Sequence, residues 1–297
     1  MRTSGLRSSS ASTPFRGGPE RAAFALFLLA AVAPILASLV YAFLYTLGLT
    51  GLLGHGLSFD AWGRVLGSGE LWSSFGLSIA VALAVVALAT AGGLALALAL
   101  RAPMDRGPLS PVLYLPLALP FSVAGLVTYQ LLAPTGLASR IAFHLGLVTG
   151  PADFPALTND RWALGIVVAH VGLALPFMAL LFAELQKSER VELFAGLARS
   201  LGASPAQALR RVVVPMLLRQ AATPMLLLFV VVLGSYEIPL LLGRQSPQML
   251  SVLTHRKWQR FDLLQKPEAF VVALAYTAFA LAVLAFALRK MNREERP

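Results

Sequence analysis

The chain of 297 residues contains no cysteine, which excludes disulfide scaffolds, thiolate metal sites and thiol nucleophiles. Charge is also scarce, at 13% of residues against roughly 25% in soluble proteins. The lysines are Lys187, Lys257, Lys266 and Lys290, and none follows a glycine. The chain therefore has no G-x-x-x-x-G-K-[ST] phosphate loop and is not its own ATPase. His55, His144, His170 and His255 fall at no metal-ligand spacing, and no Ser-His-Asp set can be assembled. The expectation is a chain without catalytic residues, resident metal or cofactor. No basic cluster is interleaved with exposed stacking aromatics at a scale that suggests DNA or RNA, so nucleic acid is not an expected partner.

Apolar residues are abundant, at 57% of the chain with a mean hydropathy of +0.74. A chain this apolar does not stay solvated as a disordered polymer. Asp, Glu, Lys and Arg are absent from 22–59, 71–100, 107–139, 162–183 and 269–288, and 220–243 holds only Glu237. About 20 apolar residues cross a bilayer core as a helix. The sequence thus predicts an all-α polytopic membrane protein with six spans, at 22–48, 75–100, 109–133, 163–183, 220–242 and 269–288, and the lipid bilayer as surroundings. Residues 1–21, rich in Ser, Gly and Arg, read as a disordered N-terminus, 22–288 as the transmembrane domain and 289–297 as a tail. The first apolar run exceeds the roughly 7–15 residues of a signal peptide and reads as a retained anchor.

Lysine and arginine counts set orientation. With both termini inside, the cytoplasmic segments hold sixteen of them and the outer loops eight. Five of the eight are Arg244, Arg256, Lys257, Arg260 and Lys266. That last outer loop, which also holds His255, Trp258 and Phe261, reads either as an interfacial anchor or as a docking surface for a substrate-binding protein. Within the spans, Gly92-Gly93 offers close helix approach, and Pro34, Pro116, Pro120 and Pro176 are kink sites. His170 reads as a packed, hydrogen-bonded residue of span four.

The cytoplasmic stretch 184–219 is too patterned to be a linker. Leu193, Leu197 and Leu201 recur every four residues with Phe194 beside them, the mark of an amphipathic helix. Gly202 suits the C-terminal turn of that helix, Ser204 an N-cap and Pro205 a first helical position. A second helix over 206–214 is expected to end at Pro215. On periodicity alone, this is a helix pair at the membrane surface.

The residues themselves carry a more specific pattern. The run Ala198-Arg199-Ser200-Leu201-Gly202-Ala203-Ser204, with nine residues between Gly202 and Val212 and then Val213, Val214 and Pro215, resembles the EAA loop of permease subunits of type I binding-protein-dependent ABC importers. Leu115-Pro116-Leu117-Ala118-Leu119-Pro120 and residues 132–136 are similar to the same family, and the likeness runs from about 22 to 288. The acidic residue of the triplet is replaced by Gly196, with Glu189 and Glu192 earlier in the chain. The resemblance implies a bacterial inner-membrane subunit whose loop is a coupling helix seated on a separate ATPase, which carries the ATP and Mg. Leu193, Leu197, Ala198, Arg199, Leu201 and Ala203 are then contact candidates, on a framework of Gly202, Ser204 and Pro215. A second permease subunit, identical or different, and an extracytoplasmic substrate-binding protein are the other implied partners.

Glu237, within Ser235-Tyr236-Glu237, is the acid deepest in an apolar run. A charge at the bilayer centre costs roughly 2.5–3.5 kcal/mol on insertion scales, so it reads as a translocation-path residue or as an acid paired near the outer interface. Ser235 and Tyr236 would supply hydrogen bonds on the path. The loop and this segment resemble the polyamine, iron and phosphonate branch, with a polyamine-like cation favoured by Glu237. The rival from another class, an ion-coupled secondary transporter, would carry several intramembrane charges.

Overall fold

The computed structural model describes residues 18–51, 56–100, 109–188 and 191–294. Among these, every regular element is helical. The chain falls into two compact units, Met1–Phe59 and Asp60–Pro297.

The first unit holds α1 (Gly18–Phe27) and α2 (Ala33–Thr46), joined by one wide π turn at Leu28–Val32. Pro34 sits in the first turn of α2. A proline has no N–H and crowds the carbonyl four residues back. The wide turn answers this, because the Ala33 N–H reaches Leu28 O, five residues back. Residues 1–17 lie outside the described residues, and the helix begins at Gly18, ahead of the predicted span start.

The second unit is built on α4 (Gly69–Ala99), preceded by the short α3 (Asp60–Leu66). Ser68 caps α4, accepting from the Leu71 N–H at 3.3 Å. At 1.5 Å per residue α4 is about 46 Å long, more than a hydrocarbon core of about 30 Å requires. Its main neighbour is α8 (Leu164–Ser188), and small residues bring the two together. A methyl on Gly93 would lie 2.7 Å from Met178 Cβ, and one on Gly92 would lie 2.8 Å from Leu175 Cδ1. Ala82, Val85, Ala89 and Ala97 of α4 pack with Met178 and Phe182 of α8 in a core completed by Phe229, Val232 and Leu233.

Between α4 and α8 the sequence expectation fails in part. Span three was expected as one helix over 109–133. Instead α5 (Leu109–Tyr114) gives way to a 3-10 turn at Pro116–Ala118, and α6 (Phe121–Leu132) starts afresh with Pro120 as its N-cap. Two prolines four residues apart remove two donors, and each biases the preceding residue away from helical backbone. The membrane-length apolar stretch is Phe121–His144, which includes α7 (Leu137–His144). Pro176, by contrast, sits inside α8 without ending it.

After α8 come α9 (Val191–Ser200), α10 (Pro205–Ala208), a π turn at Leu209–Val213, α11 (Val214–Gln220) and α12 (Ala222–Leu233). Pro215 does not end the second loop helix, as the sequence reading expected. The Val214 N–H reaches Leu209 O across the π turn, and the helix runs on to Gln220, the arrangement already seen before Pro34. Span five was expected as one helix over 220–242. It is bent by 54° between Gln220 and Ala222, and it breaks again before α13 (Glu237–Leu242). The chain closes with α14 (Leu250–Trp258) and α15 (Lys266–Glu294), which carries helix six residues past the predicted end of span six. Among the described residues, five helices are long and apolar enough to cross a membrane, six if the bent pair is one span, so the protein is an all-α polytopic membrane protein.

Candidate functional site

The loop after α8 is built from its own residues. At the end of α9 the Ala203 N–H donates to Ala198 O and the Gly202 N–H to Arg199 O, both at 3.0 Å. This is a complete Schellman turn, with Gly202 at φ +92° as its left-handed residue. Ser204 then caps α10 in a capping box. It accepts from the Gln207 N–H at 3.3 Å, and Gln207 Oε1 accepts from the Ser204 N–H at 2.9 Å. The turn fixes the angle between α9 and α10 without help from the rest of the chain.

That turn leaves an apolar face uncovered. Leu193, Phe194, Leu197 and Leu201 fall within about 100° of arc on a helix of 3.6 residues per turn. Leu201 is 89% exposed, and Leu193, Phe194 and Leu197 are exposed as well. Ala198 and Ala203 are half-buried, while Val191 faces the bundle. Arg199 is exposed, its Nε donating to Ala195 O at 3.3 Å. Gly196 is half-buried, and Glu189 lies outside the described residues. The structure therefore joins Leu193, Leu197 and Leu201 in one exposed strip. It gives Ser204 and Gly202 turn-building roles and leaves Pro215 half-buried on α11.

The second predicted group, Ser235, Tyr236 and Glu237, lies in the break between α12 and α13, and its members point to different surroundings. Ser235 is buried, with its hydroxyl 2.8 Å from His170 Nε2. His170 Nδ1 lies 2.8 Å from Ile166 O, an acceptor, so Nδ1 carries a proton and donates to that carbonyl. His170 is thus a packed, hydrogen-bonded residue, as expected. The Ser235 carbonyl also accepts from the Ser251 hydroxyl, which ties the break to α14.

Tyr236 stands edge-on to His255 with ring centroids 5.0 Å apart. Both line a pocket of about 540 Å³ with Ser251, Thr254, Trp258, Tyr276 and Thr277, among others. The pocket combines aromatic faces with a few hydroxyls on a mostly apolar lining. The sequence hinted at it only through Tyr236 and the loop of His255 and Trp258, since its other wall comes from α15. Glu237 does not join it. Its side chain is exposed in the first turn of α13, where an acid is favoured by the helix dipole.

The outer loop's basic residues have partners that the sequence did not reveal. Lys257 Nζ donates to Glu268 Oε2 at 3.0 Å, and Arg64 Nε to Glu268 Oε1 at 2.9 Å. Lys257 also lies 3.6 Å from Glu70, which pairs with Arg256. Lys266 sits 4.8 Å over the Trp258 ring, and Arg260 donates to Gln265 at 2.5 Å. Arg256 and Lys257 of α14 pair with Glu70 of α4 and Glu268 of α15, and Arg64 of α3 shares the Glu268 carboxylate. The missing signal was the long-range match of Glu70 and Glu268, each just outside an apolar run.

Comparison with known proteins bears on both places. The model of a family described as "binding-protein-dependent transport system inner membrane component" matches residues 90–293. The molybdenum transport system permease protein ModB of Azotobacter vinelandii is 27% identical over 190 residues, which are 63% of this chain and 78% of that protein. The fold is shared with a bacterial ABC transporter involved in the import of the acidic polysaccharide alginate, at a TM-score of 0.74 and 15% identity over 94% of this chain and 95% of that one. A bacterial alginate ABC transporter in complex with an alginate pentasaccharide-bound periplasmic protein gives a TM-score of 0.74 at 16% identity, over 94% of each chain. The family match spans α9, the Gly202 turn and the Ser235 break, and on it the chain belongs to the inner-membrane components of binding-protein-dependent transport systems, the permeases of ABC importers.

Proposed function

We propose that α9 is the coupling helix of this permease and that its exposed strip seats in a separate ATP-hydrolysing subunit. The carrying observation is the rigid Gly202–Ser204 turn beneath an apolar face that nothing in the described chain covers. A lever needs a fixed angle and a desolvated contact, and these residues supply one of each. Leu193, Leu197 and Leu201 are the apolar contacts, with Ala198 and Ala203 at the edge and Arg199 as the polar one. ATP and Mg belong to the partner. Residues 184–219 and both ends of the described chain then face the cytoplasm, as the basic-residue count favours. One chain presents one such helix, so a second permease subunit completes the assembly, and a substrate-binding protein delivers the solute from outside. Family membership sets aside the ion-coupled carrier.

For the solute, the reading is a small oxyanion of the molybdate or phosphonate class, ahead of iron or a polyamine-like cation. The cationic reading leaned on Glu237 as a deep intramembrane acid, and that residue is exposed at the start of a six-residue helix. The relative from Azotobacter is named for molybdenum transport. On this reading Ser235 and Tyr236 are the path candidates, with the Tyr236–His255 pocket beside them, and Glu237 stays the path candidate of the cationic one.

The test is co-purification and uptake. L193D/L197D should remain in the membrane and lose the co-purifying ATPase subunit. Retention of that subunit at the native level would overturn the coupling assignment. Uptake in membrane vesicles energised with ATP should be supported by an oxyanion. Uptake of spermidine alone would reverse the substrate reading and leave the coupling one intact.

A further inference from the structure

Residues 193–236 contain Arg199, Arg210, Arg211 and Arg219 and no Asp or Glu. Arg211 and Arg219 line a groove of about 420 Å³ with Val212, Pro215, Met216 and Gln220. Both arginines are exposed, and neither has an ion-pair partner among the described residues. Val212, Pro215 and Met216 are half-buried, so the groove has basic rims over an apolar floor. The helix carrying it meets α12 at a bend of 54°. With α12 read as crossing the bilayer, the groove ends at Gln220, directly before that span begins at Ala222.

We propose that this groove is a binding site for an anionic phospholipid. The guanidinium groups take phosphate oxygens, for which their planar fork of donors is suited. The glycerol and first acyl methylenes cover Val212, Pro215 and Met216. Eight helical residues separate the arginines by about 12 Å along the axis, so they serve two phosphates when extended or one when both turn inward. Basic pockets beside membrane helices have the general chemistry for such headgroups. A lipid is favoured over a free anion because the floor is apolar, and over an acidic protein surface because the groove opens beside an apolar span. The site lies on the helix that follows the Gly202 turn, so a bound lipid would brace the base of α9. The inference rests on the membrane-spanning character of the chain and is independent of the ATPase assignment.

The experiment uses the full-length protein in detergent, with bound lipid counted by native mass spectrometry. Phosphatidylglycerol should be retained over phosphatidylcholine by roughly ten- to thirtyfold, from about a fivefold preference per basic residue. R211Q/R219Q should abolish the preference, and R211K/R219K should keep part of it, because charge remains without the fork. R140Q, which alters an arginine on α7, should leave it unchanged. Equal retention of the two lipids, or an unchanged preference in R211Q/R219Q, overturns the proposal. Displacement of the lipid by millimolar inorganic phosphate would make this a free-anion site and overturn the lipid assignment. Loss of a co-purifying ATPase from R211Q/R219Q with lipid retention intact would make it a protein contact, with the same consequence.

Discussion

Lys257 and Glu268 form an ion pair of 3.0 Å in which the two side chains are only 6% and 9% exposed. The lysine comes from α14 and the acid from α15, and Arg64 of α3 shares the same carboxylate. Removing Glu268 leaves Lys257 with Glu70 at 3.6 Å as its remaining acid, so the cost falls in the lower part of the about 3–5 kcal/mol lost on breaking a buried pair. Glu268→Gln should therefore lower the thermal midpoint in detergent sharply. Replacing both partners, as in K257M/E268M, should recover much of the loss, because no unpaired charge remains between them. Equal damage from the single and double variants would show that the pair is not the unit that matters.

Gly93 marks a close approach between α4 and α8. A methyl there would meet Met178 Cβ at 2.7 Å and the Ala179 nitrogen at 2.8 Å, and the latter cannot swing away. Gly93→Val should cost about 1–3 kcal/mol by overpacking. Gly196→Val, on the half-buried flank of α9 where a methyl meets nothing within 4 Å, should cost far less. Thermal melting of the two variants side by side checks the contrast.

Gly202 is required by conformation and not by space. Its φ is +92°, and a methyl built on it would meet nothing within 4 Å. A side chain in the left-handed region costs about 1–2 kcal/mol, too little to unfold the bundle. Gly202→Asp should leave the protein inserted and assembled in amount, while transport and solute-stimulated ATP hydrolysis fall. Normal transport per assembled complex would remove the coupling role.

The absence of native cysteine makes orientation directly measurable. Ser200 in α9 and Ser246 before α14 are both exposed. In intact cells, a membrane-impermeant thiol reagent should label Ser246→Cys and spare Ser200→Cys until the membrane is permeabilised. The reverse pattern would invert the topology.

Glu237 gives a mild expectation. Because its side chain is exposed at the start of α13, Glu237→Gln should change stability by no more than about 0.5 kcal/mol. Assembly should be unaffected, measured as the thermal midpoint and yield of complex. A collapse of assembly would show that the acid pairs with a neighbouring subunit.

Much of this architecture was written in local chemistry. The apolar runs specified membrane helices because a backbone in lipid must satisfy its own hydrogen bonds. Gly202, Ser204, Pro205 and Gln207 specified the loop turn because its hydrogen bonds all close within ten residues. Gly92-Gly93 announced a close contact, and only the fold showed that α8 supplies it. Proline was legible as a disturbance and not as an outcome. Pro120 started a new helix, Pro176 was absorbed, and Pro34 and Pro215 each followed a wide turn that rerouted the freed carbonyls. Which of these occurs depends on what packs beside the proline, and no window of sequence contains that. The same holds for charge. Sequence alone counted Arg256 and Lys257 as outer-loop cations and read Glu237 as a path residue or an acid paired near the outer interface. Tertiary structure paired the two cations with Glu70 and Glu268, more than 180 residues apart in the chain for Arg256 and Glu70, and turned Glu237 outward. Burial and pairing belong to the assembled helices, because an ion's energy is set by whatever the fold brings within a few ångströms of it.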